Sequence, residues 1–333
     1  MTLSPEDDRA ARAARRTGIV HPLDREALVE VRGPDAARYL QAVCTRDLDG
    51  LEPGGLRYAA LTDDRARYVA DFWVWRAGER WWLECVAEVR DALVERLAKF
   101  AVADDVEVAV LEGYSLFHAE GPAAGEVARG LGLGSEDVGT AAGVTWARRS
   151  RYGEDGWTLA VERANAAEKL AEWKPRWSAA GLVSAPAAAQ EALRLEAGRP
   201  RGGVDVTGES LLPEAGLWGA VSLDKGCFPG QEIVRRVVTR GELKRRLLGF
   251  VEAEESEGAA TIEATSTAFS AARGARVGLG WIRGTGEPGT PVRVVSGANS
   301  LFAARLAALP LVPGPRSPLP DAVGEWTEST TSR

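Results

Sequence analysis

Apolar positions recur along this chain in two rhythms, every second residue and every third or fourth, until alternating runs alone take over near Lys244. From Glu26 to Leu111 the two rhythms interleave. Ala27 to Val31 reads as a strand, and Gly33-Pro34-Asp35 opens a helix with proline at its first position and an acid in its first turn. Strand-like runs follow at Arg57 to Leu61, Tyr68 to Trp75 and Trp81 to Val86, the last two joined by a turn at Ala77-Gly78-Glu79. Val89, Leu93, Leu97 and Phe100 fall at helical spacing, and Val106 to Leu111 is strand again. This is the pattern of an α+β unit with an antiparallel sheet.

The middle of the chain repeats the theme. Tyr114 to His118, Val144 to Arg148 and Trp157 to Val161 read as strands, with a short helix and loops across the Gly/Ala-rich stretch from Gly121 to Gly143. Asn165 is placed to cap a helix through Trp173 that Pro175 should end or kink. Ala187 to Ala197 is another helix, with Gly198 past its end, and Gly202 to Gly219 is rich in loop residues. After Lys244, short runs at Leu247 to Val251, Ala275 to Ile282, Pro291 to Val295 and Ala303 to Leu309 predict an all-β unit, a small barrel. The organisation expected is a flexible, at most transiently helical, segment 1–18, α+β domains over 19–112 and 113–243, a β-barrel over 244–312 and a disordered tail over 313–333.

Composition narrows the function classes. A net charge of -7 argues against holding nucleic acid by bulk phosphate neutralisation. No apolar run approaches the ~20 residues that cross a bilayer, and residues 1–18, with Glu6, Asp7 and Asp8 and no apolar stretch, read as neither a secretory nor a transit signal, so the expected location is the cytoplasm, with no membrane partner. Three scattered cysteines, Cys44, Cys85 and Cys227, fit a reducing compartment rather than a disulfide framework. With only His21 and His118 and no C-x-x-C spacing, the chain lacks a standard Cys/His metal set, and no motif supports a carboxylate one.

Candidate chemistry concentrates in Lys225-Gly226-Cys227-Phe228-Pro229-Gly230-Gln231-Glu232. Gly226 and Gly230 free the backbone for a tight turn, Pro229 stiffens it, and Ile233 to Val237 starts a helix or strand. Were that element a helix, its positive end and Lys225 would both favour the thiolate of Cys227. The plainer alternative is a small buried hydrophobe. The following run Arg235, Arg236, Arg240, Lys244, Arg245 and Arg246 reads either as a solvated face or as an anion site. Trp73, Trp75, Trp81 and Trp82 lie on adjacent strands; core packing suits most, and a flat ligand could use one or two. Gly284 to Gly289 has dinucleotide-type glycine spacing, but Pro288 and Pro291 prevent the helix that must follow, so it reads as a hairpin loop.

The octapeptide, together with Arg194-Leu195-Glu196-Ala197-Gly198, Leu212-Pro213-Glu214-Ala215-Gly216-Leu217 and Gly33-Pro34-Asp35-Ala36, resembles the folate-binding YgfZ group, within the superfamily of the glycine-cleavage T-protein, an aminomethyltransferase. The likeness runs over roughly residues 19 to 312. It implies a T-protein-like ring of two α+β domains and a C-terminal β-barrel around a folate channel. Tetrahydrofolate or a one-carbon derivative is the implied cofactor, and iron–sulfur client enzymes, including tRNA-modifying ones, are the implied partners. T-proteins hold the reacting end of folate with an acidic pair; the similar stretch here is Val69-Ala70-Asp71-Phe72, with Ala70 in place of one acid. Glu196 resembles the carboxylate that pairs with the pterin, and a carboxylate suits that amino and ring N–H edge.

These likenesses give a working assignment: Cys227 and Lys225 as a reactive pair, with Glu196, Asp71, Gly226, Gly230, Gln231, Glu232, Arg235 and Arg236 as cofactor-binding residues. The expected role is a tetrahydrofolate-binding accessory protein for iron–sulfur enzymes. The rival readings are a folate-dependent aminomethyl or methyl transferase and a structural module without ligand.

Overall fold

The computed structural model describes residues 3–240, 243–254, 260–284, 286–317 and 319. In chain order the first elements are α1 (Pro5–Ala13), β1 (Ile19–Pro22), β2 (Glu26–Arg32), α2 (Ala36–Val43), β3 (Leu56–Thr62), β4 (Tyr68–Ala77), β5 (Arg80–Val86), α3 (Ala87–Phe100) and β6 (Glu107–Val110). Then come β7 (Tyr114–Glu120), α4 (Ala124–Gly130), β8 (Val138–Ala141), β9 (Val144–Arg148), β10 (Gly156–Glu162), α5 (Ala166–Ala179), β11 (Val183–Ser184) and α6 (Ala187–Glu196). The remainder is α7 (Gln231–Arg240), β12 (Arg245–Glu252), β13 (Thr261–Ser270), β14 (Ala275–Arg283), β15 (Pro291–Ser296) and β16 (Asn299–Ala307).

Three sheets organise these elements: a 5-stranded sheet in the order β3-β4-β5-β2-β6, a 6-stranded sheet in the order β11-β1-β7-β10-β9-β8, and a closed barrel β12-β14-β13-β15-β16. The first sheet is antiparallel throughout and is backed by Val89, Leu93 and Leu97 of α3. Their spacing of four residues is what places them on one face.

Chain order and spatial grouping part company in two places. β1 pairs with β7 and β11 and so belongs to the second sheet, although it precedes the first. Conversely, Val206, Leu212, Leu217, Val221, Phe228 and Val234, far downstream, pack into the core of the first sheet. That long excursion carries the Cys227 loop back onto the first sheet.

Three local expectations change. Residues 5–13, expected to be flexible, form α1: Ser4 caps it by accepting from the Asp7 N–H, and Ala10 and Ala14 pack with Ala189 and Leu193 of α6. Pro175 does not end its helix, for α5 continues to Ala179, and Asn165 makes no side-chain cap. Trp173 and Trp177, one turn apart and both in the second core, outweigh the ~3 kcal/mol that an interior proline costs, since each large buried side chain contributes roughly that much. β13, whose Thr/Ser/Ala-rich run gave little hydrophobic signal, is the barrel strand missing from the sequence reading. Of the expected tail, residues 313–317 and 319 are described, with Arg316 ion-paired to Asp155 at 2.7 Å; the rest lies outside the described residues.

Candidate functional site

Where β3, β4 and β5 meet the loop between β9 and β10, polar side chains converge from both sheets. Asp71 projects from β4 on the face opposite Ala70 and Phe72, which are buried in the core. Its two oxygens accept from the hydroxyls of Tyr58 at 2.7 Å and Tyr68 at 2.5 Å. Burial, reinforced by the Asp71 charge, raises both phenol pKa values well above the ordinary, so both tyrosines stay protonated donors. Two residues along the same face, the Trp73 ring lies 5.3 Å from Tyr58 and carries the Arg149 guanidinium 5.0 Å over it.

Arg149 and Arg151 both engage Glu84 on β5. Arg149 donates to its oxygens at 2.6 and 3.2 Å, Arg151 donates as well, and the Trp75 indole adds a bond at 3.1 Å. Burial alone would raise the Glu84 pKa, but the two guanidinium charges overcome it and hold the group at about 2. Burial, aided by the Arg151 charge, lowers Arg149 to about 10. Arg151 also pairs with Glu26 at 2.6 Å, with Arg199 3.8 Å from the same carboxylate.

Three buried donors here lack an acceptor: Trp73 Nε1, Arg149 Nη1 and Arg151 Nε. Native interiors rarely tolerate such orphans without a ligand or water. Trp73 and Arg149 line a cavity of about 320 Å3 that also reaches Ser150, Asp137 and Arg316. A second cavity, about 330 Å3, is bounded by Glu26, Arg151, Tyr152, Glu191, Arg194 and Arg199. Behind it stands a polar support: Tyr152 bonds His21 at 3.0 Å, and Glu120 accepts the backbone N–H groups of Arg151 at 2.6 Å and Tyr152 at 2.8 Å.

The octapeptide lies elsewhere on the first sheet. Lys225 turns inward, and its ammonium donates to the carbonyls of Gln41 at 2.5 Å, Cys44 at 2.6 Å and Arg46 at 3.2 Å, capping the end of α2. Cys227 is exposed at the surface, so the expected thiol–ammonium pair is not assembled. Gly230, at φ +80°, presses against Ala66, where a Cβ would come within 2.6 Å of Cα. The Gln231 amide donates to the carbonyls of Lys225 and Gly226 and braces the turn. On the solvent face of α7 Glu232 pairs with Arg236 at 2.7 Å, while Arg235 donates to the Leu223 carbonyl.

Glu196 ends α6 fully buried, its oxygens taken by Arg15 and by Ser270 of the barrel, each at 2.5 Å. Expected at a pterin edge, it joins the turn after α1, the end of α6 and the barrel, and lines neither junction cavity. Asp71 alone of the expected cofactor residues stands at the junction, and it too lines neither cavity, its oxygens being taken by Tyr58 and Tyr68.

A model of the GCVT N-terminal domain matches residues 6–225, well over half of the chain. The chain belongs to the GCVT family. Glycine cleavage system aminomethyltransferase T from Bartonella henselae shares the fold, with a TM-score of 0.81 over 93% of this chain and 90% of that one at 24% identity. The T-protein-like architecture expected from the sequence, with its C-terminal barrel, is the one observed. A chloroplastic Arabidopsis thaliana protein named as a transferase is 28% identical over 77% of this chain. An aminomethyltransferase of Rubrobacter xylanophilus is 31% identical over 67% of it. The chain spans 61% and 62% of the lengths of these two relatives. No helix among the described residues is long and apolar enough to cross a membrane.

The matched segment divides the candidate residues of this GCVT-family chain, and of the expected ones it holds Asp71, Glu196 and Lys225. Tyr58, Asp71, Glu84, Arg149 and Arg151 fall inside the matched segment, whereas Cys227 and α7 lie beyond it. Sequence reasoning missed Tyr58, Tyr68, Glu84, Arg149 and Arg151. One signal was available: Arg148-Arg149-Ser150-Arg151 packs three cations into the turn between two predicted strands.

Proposed function

We propose that the protein binds a reduced folate, tetrahydrofolate or a one-carbon derivative, at the sheet junction. The observation that carries this reading is the set of orphaned donors, Trp73 Nε1 and Arg149 Nη1, beside the 320 Å3 cavity. A pterin presents ring nitrogens and a carbonyl as acceptors on a flat body, and Trp73, backed by the Tyr58 ring, supplies an aromatic wall. Arg148 and Arg149, both in the cavity wall, offer charge to the glutamate end. Family membership supports the same class of ligand.

Titration calorimetry with tetrahydrofolate tests the reading. Trp73→Phe keeps the ring and deletes the unpaired N–H, so binding should weaken by about tenfold with stability unchanged, as expected for a donor that finds its acceptor only in the complex. No heat with any reduced folate, or full affinity in the variant, would contradict it.

The finer role we propose is that of a cytosolic YgfZ-type accessory protein for iron–sulfur enzymes, including tRNA-modifying ones, with Cys227 as its exposed functional thiol. The octapeptide supports this reading. Cys227→Ala should spare folate binding and abolish support of a client enzyme; undiminished client activity would remove the cysteine from the mechanism. The names of the aminomethyltransferase relatives favour a second reading, one-carbon transfer, which turnover on an aminomethyl carrier would establish.

A further inference from the structure

A separate cleft of about 830 Å3 gathers five cations, Arg65, Arg67, Lys244, Arg245 and Arg283, in a chain whose net charge is -7. Among the described residues only Arg245 has a carboxylate partner, Glu214 at 3.1 Å. Arg67 reaches no more than the Gly208 carbonyl, at 3.5 Å. Arg245 on β12 and Arg283 on β14 sit directly opposite each other in register, a placement that costs stability through like-charge repulsion. An anion lying across both would relieve it.

The rest of the lining limits what that anion is. Leu211 and Ile233 form an apolar patch, and Glu209 and Glu214 interrupt the positive surface. A continuous phosphodiester would meet both carboxylates, and the lining offers no aromatic ring for bases to stack on. Carboxylates spaced by apolar side chains meet neither obstacle. The cleft also adjoins the Cys227 loop, since Ile233 follows it on α7 and Gly230 abuts Ala66, between Arg65 and Arg67.

We propose that this cleft docks an acidic segment of a partner protein, glutamate- or aspartate-rich with interspersed apolar residues. The proposal is independent of folate binding. Fluorescence anisotropy with a short fluorescein-labelled peptide of glutamates interspersed with leucines tests it. The peptide should bind the intact chain, and raising salt should weaken it. Lys244→Glu combined with Arg283→Glu, two exposed positions outside the junction, should weaken it by about tenfold or more and leave tetrahydrofolate binding unchanged. Failure of the peptide to bind, equal affinity in the double variant, equal affinity for a glutamine-for-glutamate peptide, or displacement by a tighter-binding single-stranded DNA of equal charge would overturn the proposal.

Discussion

Lys225→Met separates two roles for the same side chain. The buried ammonium makes three hydrogen bonds to backbone carbonyls at the end of α2, at 2.5, 2.6 and 3.2 Å. Hydrogen bonds to a charged group contribute roughly 1.5–3 kcal/mol each. Against this stands desolvation of the ammonium, which lowers the Lys225 pKa and which methionine would not incur. Methionine keeps the apolar stem but leaves the carbonyls of Gln41 and Cys44 unpaired, so the net loss expected is about 2–4 kcal/mol. That is a large fraction of the ~5–15 kcal/mol typical of a whole domain. A urea-unfolding midpoint followed by circular dichroism measures it. The companion assay is the alkylation rate of Cys227, readable without mutating the other thiols because Cys44 and Cys85 are buried. A cap predicts lower stability with an unchanged alkylation rate below the unfolding transition. A severalfold slower alkylation at wild-type stability would refute it and restore the ammonium as an activator of the thiol.

Two further outcomes follow from buried groups. Burial drops the His21 pKa from 6.5 to about 4, so the unfolded chain takes up the proton first; the contribution, about 3 kcal/mol at 1.36 kcal/mol per pH unit, is complete above pH 6.5 and disappears as pH falls toward 4. Melting temperature should therefore decline from pH 7 to 5 and decline less in His21→Gln, and a flat wild-type profile would count against the buried neutral imidazole. Ala70→Asp, which would write an acidic pair into β4, should destabilise by on the order of 3–5 kcal/mol because residue 70 faces the core; a variant that melts like wild type and binds folate more tightly would show that the side chain reaches the junction instead.

Most elements are legible in the order of residues, and the family resemblance adds the architecture. Strands such as β4 and β5 and helices such as α3 are legible because their side-chain periods, two and three-to-four, are set by backbone geometry and survive any arrangement of neighbours. The octapeptide, with the motifs at 194–198, 212–217 and 33–36, carries the resemblance that implies the T-protein-like architecture. Tertiary structure alone decided what individual polar groups do. Lys225 and Cys227 are two residues apart, yet one faces a helix end and the other solvent. Arg149 and Glu84 are 65 positions apart and share a buried ion pair. Pro175 stays helical because two tryptophans that no local rule weighs are buried beneath it. Charges, hydrogen bonds and burial act through space over a few ångströms, and neighbours at that range are set by how sheets pack, which local order along the chain does not encode.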